Sequence, residues 1–314
     1  MRWDDFRRSD NVEDDRGSDS GGFSMPGGGG FGIPGGGGGL GIGTVIVLGL
    51  VGWALGIDPS VLINGAEIVA GGSGGQARYE QPDRPRASRT AAPDDEMGKF
   101  VSAVLGDTED TWTDIFQQSG QTYKKPKLRL FSGQTATQAC GMAQSAMGPF
   151  YCPGEQRVYL DTSFFKEMQT RFRACTSDKA CQFAEAYVIA HEIGHHVQNL
   201  LGILPKARQA QERAGSKAQA NHIQVQVELQ ADCFGGIWAN RSNAKRNFID
   251  PGDVDQALQT ASAIGDDRLQ KQATGRVMPD SFTHGSSEQR KRWFSNGFNS
   301  GKISACNTFG ASSL

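Results

Sequence analysis

No cysteine precedes Cys140 in this chain of 314 residues, no Cys-x-x-Cys occurs anywhere, and histidine is scarce, with five in all. The missing Cys-x-x-Cys leaves a thiolate zinc site as a runner-up only, so metal chemistry has to come from the few histidines and from carboxylates. Charge of one sign is lacking too. The formal net charge is -2, and no basic stripe with interleaved aromatics appears, which argues against a nucleic-acid partner. No internal repeat is visible, and between Asp19 and Asp58 there is no charged residue at all.

Of the five histidines, two stand in His191-Glu192-Ile193-Gly194-His195. The flanks, Gln182 to Ala190 and Val197 to Leu201, contain no proline and predict a helix. A helix advances about 100° per residue, so His191 and His195 project from one face at a separation that one tetrahedral metal bridges. Glu192 lies about a third of a turn round, where it can take a proton from water on the metal. Gly194 costs about 1 kcal/mol of helix propensity against alanine and is expected where another backbone packs close. His196 points about 100° off the metal face. His222 has no marked partner, and neither is taken as a ligand.

Residues 217 to 240 predict a second long helix, with Glu228 and Asp232 one turn apart among Leu229, Ala231, Cys233 and Phe234. Carboxylates in an apolar run need partners. Glu228, with the longer arm, is the expected third ligand of a Zn2+ ion. Asp232 is expected to accept the free ring N–H of a ligating histidine, fixing its tautomer.

The glycine-rich head, the apolar segment, His191 to Gln198, Glu228 to Cys233 and Ser281-Phe282-Thr283-His284-Gly285 together resemble the neutral zinc metallopeptidase family of bacteria. His-Glu-x-x-His followed by Glu-x-x-x-Asp is similar to the gluzincin arrangement. The resemblance covers nearly the whole chain. It implies a zinc-dependent endopeptidase with a zincin-like, mostly helical α+β domain and a small sheet, preceded by one transmembrane helix. It also implies a late His or Tyr that steadies the oxyanion, a role open to His284. Arg290 is an alternative, holding either a substrate carbonyl or an acidic residue near the metal. As part of Arg290-Lys291-Arg292 it also reads as a solvated charge run.

Four regions follow along the chain. Residues 1–39 are a polar and glycine-rich head, expected to be flexible. Leu40 to Ile57, 18 residues without charge, just suffice to cross a bilayer as an uncleaved anchor. Residues 58–95 make a linker, and 96–314 the metallopeptidase domain. Helical spacing from Met97 to Gln118 is expected to break at Gly106-Asp107. Lys127 to Phe131 and Arg157 to Asp161 alternate as strands, with Phe150 to Asp161 the expected edge that accepts substrate as an added strand. Further helices are expected from Pro251 to Leu269 and from Ser286 to Asn296.

All six cysteines follow the apolar segment, which suggests an oxidising compartment: N-terminus cytoplasmic, domain periplasmic or extracellular. Fifteen connectivities exist for six cysteines. Local spacing favours Cys140 with Cys152 and Cys175 with Cys181, leaving Cys233 for Cys306. The expected function is a membrane-anchored endopeptidase that attacks peptide bonds of protein or peptide substrates with metal-activated water and Glu192 as general base. A non-catalytic zinc-binding envelope protein and a cell-wall amide hydrolase are the alternatives.

Overall fold

The computed structural model describes residues 1–16, 93–144, 148–170 and 178–314, all within one compact unit. A four-stranded sheet has the order β1 (Val12–Asp14), β2 (Lys127–Phe131), β6 (Arg157–Asp161) and β5 (Phe150–Cys152). The first three are parallel, and β5 runs antiparallel to β6. A hairpin of β3 (Gln134–Ala136) and β4 (Met142–Gln144) stands apart from it. Eight α-helices complete the described part: α1 (Glu96–Gln118), α2 (Ser163–Thr170), α3 (Asp178–Leu200), α4 (Ile203–Glu212), α5 (Lys217–Arg246), α6 (Asp253–Ala263), α7 (Asp266–Thr274) and α8 (Ser287–Ser300). The architecture is a mostly helical α+β domain with a small mixed sheet.

The core runs between α1, α3, α5 and α8. Buried Trp112, Phe183, Phe234, Trp238, Phe248 and Phe294 meet there, mostly edge to face or tilted, with Phe183 and Trp238 nearer to stacked. Local signals set the helix ends. Asp95 caps α1 through Gly98 N–H, and Ser286 with Gln289 forms a capping box on α8. The expected strand edge narrows to β5, because β6 is paired on both sides. The expected helix over 251–269 is two helices, divided at Ile264-Gly265.

The N-terminal head departs from expectation. Residues 1–16 are packed rather than flexible, because Met1, Trp3, Phe6 and Val12 are buried and the chain enters the sheet as β1. Four apolar side chains outweigh the charge density that made the segment read as disordered. Trp3 meets Phe100 edge to face at 5.5 Å and Phe6 meets Phe248 at 5.2 Å. The arm also explains Gly106. Helix α1 runs through this residue unbroken, and a Cβ there would lie 2.0 Å from the Arg7 carbonyl oxygen. Glycine is needed for close approach, not for a break.

The expected span 40–57, the head beyond residue 16 and the linker up to residue 92 lie outside the described residues. Among the described residues, no helix is long and apolar enough to cross a membrane.

Gly106→Ala gains helix propensity but drives a methyl group into backbone that cannot yield. It is expected to destabilise the protein by about 1–3 kcal/mol, read as a lower midpoint in denaturant unfolding.

Candidate metal centre

Two helices build the site by crossing at one point. A Cβ on Gly194 in α3 would lie 2.9 Å from the Ala231 carbonyl oxygen and 3.0 Å from Ala231 Cα in α5. The close packing anticipated for Gly194 is this contact. His191 and His195 stand three residues before and one after Gly194, and Glu228 and Asp232 stand likewise about Ala231. The crossing therefore sets two histidines directly against two carboxylates.

His191, His195 and Glu228 each present one donor atom, and these atoms lie within 4.8 Å of one another. Glu228 Oε2 is 3.2 Å from His191 Nε2 and 3.4 Å from His195 Nε2. Both Nδ1 atoms are used elsewhere. His191 Nδ1–H donates to Asp232 Oδ1 at 2.7 Å, and His195 Nδ1–H donates to Gln198 Oε1 at 2.9 Å. Each ring is thus held in the tautomer that aims Nε2 at the common point. Gln198 continues to the Val227 carbonyl at 2.8 Å, and Gln224 Nε2 holds the other Glu228 oxygen at 2.8 Å.

Two imidazoles and a carboxylate converging with their second nitrogens already satisfied is a donor set that fits zinc with a position left open. The field agrees with a cation. Burial opposes protonation of His191, yet Asp232 and Glu228 push it up to about 10. His195 is likewise raised against burial by Glu228, whose own carboxyl is held well below its ordinary value by both histidines despite its burial.

Asp232 is fully enclosed and carries the densest network of the site. Besides His191 it accepts from Tyr187 Oη at 2.5 Å and from Arg290 through Nε and Nη2, at 2.8 Å each. Burial would raise its pKa, but Arg290 and His191 hold it well below the carboxylate range. Arg290, 3 % exposed, is therefore no part of a solvated run; it pairs with an acidic residue beside the metal donors. The signal was present in α8, where Arg290 shares the buried face with Trp293, Phe294 and Gly297. Tyr187 and Gln198 carried no such signal, since their roles depend on partners distant in sequence.

Glu192 lines the same cleft of about 730 Å³. Burial raises its carboxyl above the ordinary value, with the charges of His191 and His195 opposing and that of Glu228 assisting. His284 also lines this cleft. Asp266, at the start of α7, fixes its loop by accepting the backbone N–H groups of Thr283 at 2.6 Å, His284 at 2.5 Å and Gly285 at 3.0 Å, and lies 3.3 Å from His284 Nδ1. The His284 side chain is half exposed, and against partial desolvation the carboxylates of Asp266 and Glu228 hold its ring above the ordinary value. His196 is buried away from the donors: Nε2–H donates to the Lys124 carbonyl at 2.6 Å, and Nδ1 accepts from Tyr151 Oη at 2.9 Å. His222 is exposed.

Two disulfides match the expected pairing, Cys140–Cys152 and Cys233–Cys306. Cys181 is disulfide-bonded, and its expected partner Cys175 lies outside the described residues.

A family model described as "Putative neutral zinc metallopeptidase" matches residues 1–309. The chain belongs to that family. This metallopeptidase-family chain is 47 % identical to the uncharacterized protein YpfJ of Escherichia coli, over 99 % of its own length and all of that protein. It is 42 % identical to the uncharacterized proteins Mb2605 of Mycobacterium bovis and Rv2575 of Mycobacterium tuberculosis, over 70 % of its length and 74 % of theirs. No solved structure matches.

Asp232→Asn removes the charge that orients His191 and balances Arg290. It is expected to weaken zinc binding about 10- to 100-fold in competition with a chromogenic chelator; unchanged affinity would mean that His191 is oriented by its packing alone.

Proposed function

We propose that this protein is a zinc-dependent endopeptidase of zincin-like design, with His191, His195 and Glu228 as the metal ligands. The observation that carries the reading is the convergence of His191 Nε2, His195 Nε2 and Glu228 Oε2 beside a buried Glu192 in a cleft. When bound there, zinc supplies Lewis acidity that polarises a carbonyl and makes water a nucleophile near neutral pH.

The chain's own residues do the rest. Glu192 takes the proton of the attacking water and returns it to the leaving amine, a role that its raised carboxyl pKa suits, because a stronger acid holds a proton too weakly to act as base. Asp232 keeps His191 in one tautomer and balances the charge it gains on ligation, and Arg290 keeps Asp232 ionised and immobile. His284, held by Asp266, donates to the carbonyl oxygen as it becomes an oxyanion.

Substrate is bound as an extended strand along β5. The sheet order leaves β5 at the edge, and its residues Phe150 and Tyr151 line the cleft that holds His195 and Glu192. Tyr151 is fixed there, giving a hydrogen bond to His196 and accepting one from Asn199 Nδ2 at 3.0 Å. The disulfides support residence of the domain in an oxidising compartment.

Cleavage of an unfolded protein by the full-length, zinc-loaded protein tests the reading. Glu192→Gln is expected to abolish turnover while sparing zinc binding, and His191→Ala to lose both. A folded, zinc-loaded protein that cleaves nothing, or a Glu192→Gln variant with full activity, would sink the assignment. His284→Ala is expected to lower kcat by about 100- to 1000-fold with little change in KM, measured by steady-state kinetics on a quenched peptide.

A further inference from the structure

His196 follows a metal ligand directly in the chain, is fully buried, and takes no part in the metal site. Its hydrogen bonds fix its tautomer. The Lys124 carbonyl only accepts, so the proton sits on Nε2, and Nδ1 is left bare to accept from the Tyr151 hydroxyl. The Tyr151 oxygen in turn accepts from Asn199 Nδ2 at 3.0 Å, and the same amide nitrogen reaches the Pro153 carbonyl at 3.3 Å. Tyr123 and Tyr151 both meet the imidazole near edge to face, at 5.6 Å and 5.4 Å. Packing and hydrogen bonds together leave the ring one orientation.

The partners of this ring belong to the sheet or its margin. Tyr151 is the middle residue of β5, Pro153 follows that strand, and Lys124 leads into β2 in the interior of the sheet. Strand β5 has three residues and pairs with β6 alone, so its own ladder fixes it weakly. Its hydrogen bonds to α3 run through His196 and Asn199, the first next to the ligand His195 and the second one turn beyond it. Tyr151, Pro153 and Asn199 line the cleft together with His195 and Glu192.

We propose that His196 is a positioning residue for substrate: through the Tyr151 hydroxyl, with Asn199 beside it, it sets the distance between β5 and the metal-bearing turn of α3. The proposal rests on the endopeptidase reading, in which substrate lies along β5. A chain added to β5 inherits the placement of that strand, and a scissile carbonyl displaced by about 1 Å reacts on the order of 100-fold more slowly.

Two substitutions separate the two ends of the ring. His196→Gln sets an amide nitrogen near the place of Nε2 and keeps a donor for Lys124, but offers Tyr151 no acceptor. His196→Asn keeps an acceptor near Nδ1 and gives up Lys124. Tyr151→Phe is the milder change, removing one hydroxyl. In zinc-loaded, full-length protein, amide exchange over Phe150 to Cys152 is expected to quicken roughly five- to tenfold in His196→Gln and Tyr151→Phe, and less in His196→Asn. Parental exchange in the first two, or a larger rise in His196→Asn, overturns the proposal without reference to turnover. On a quenched peptide long enough to run along β5, kcat/KM is expected to fall about 10- to 100-fold in His196→Gln and Tyr151→Phe, with a smaller loss on a peptide too short to reach that strand. The double variant is expected to lose no more than either single one, because both break the same bond, and zinc affinity in chelator competition is expected to stay at the parental value. Equal losses on the two peptides, additive losses, or weakened zinc binding would make His196 a support of the fold or of the metal and overturn the proposal. A zinc-loaded parent that cleaves neither peptide fails the endopeptidase reading and this inference with it; an active parent with undisturbed variants fails this inference alone.

Discussion

The contact of Gly194 with the Ala231 backbone is the constraint from which the site is built. Ligand distances at a zinc tolerate about 0.2 Å, and two helices bearing side chains at their crossing normally stand 8–10 Å apart with scatter set by whatever lies between, about the usual helix spacing. Removing one Cβ takes that scatter away, because backbone then rests on backbone. The helix propensity lost at Gly194 is recovered as precision in the placing of four side chains. A second pair of such contacts, Gly297 on the Cys233 carbonyl and Gly236 on the Phe294 carbonyl, seats α8 on the far side of α5 in the same manner. Arg290 reaches Asp232 because of it.

The electrostatics follow a matching order. Asp232 sits in the deepest position, where an unpaired carboxylate would cost several kcal/mol, and it is compensated from two directions by Arg290 and His191, with Tyr187 between them. One partner is permanently charged and the other becomes positive only when protonated or bound to a cation. Arg290 therefore sets a floor under the site: the acid remains ionised in any state of His191, and the histidine always finds the same acceptor. The second histidine, His195, leans on the neutral Gln198, so the two imidazoles have unlike partners although they share one helix face.

How much of this was legible varied with the distance over which each signal acts. The motif helix and the meeting of its two histidines with Glu228 and Asp232 could be read because a helix converts spacing into direction, and a carboxylate pair amid Leu229, Ala231 and Phe234 needs a reason to be there. The Cys140–Cys152 bond followed from local spacing, and Cys233–Cys306 from the cysteines that the local pairs left. What escaped was set by partners remote in the chain. Gly106 looked like a helix break because the carbonyl of Arg7, which requires it, is nearly a hundred residues away. The arm itself looked disordered because its charges, Arg7 and Arg16 among them, were counted as solvated; they are paired with Glu109, Asp110 and Asp95. Arg290 was hidden the same way, inside a run of three bases of which one turns inward.

The bond between Cys233 and Cys306 joins a position next to Asp232 to the chain 73 residues later. The residues that line the cleft from the C-terminal side, Ile264, Leu269, His284 and Arg290, lie inside that loop, and so does the exposed stretch around Val277 and Met278, 43 % and 48 % accessible. This stretch is an exposed place at which a protease could cut the chain. A nick there divides the polypeptide without releasing either piece. The covalent tie spans the cut, and the α5–α8 contact lies on both sides of it.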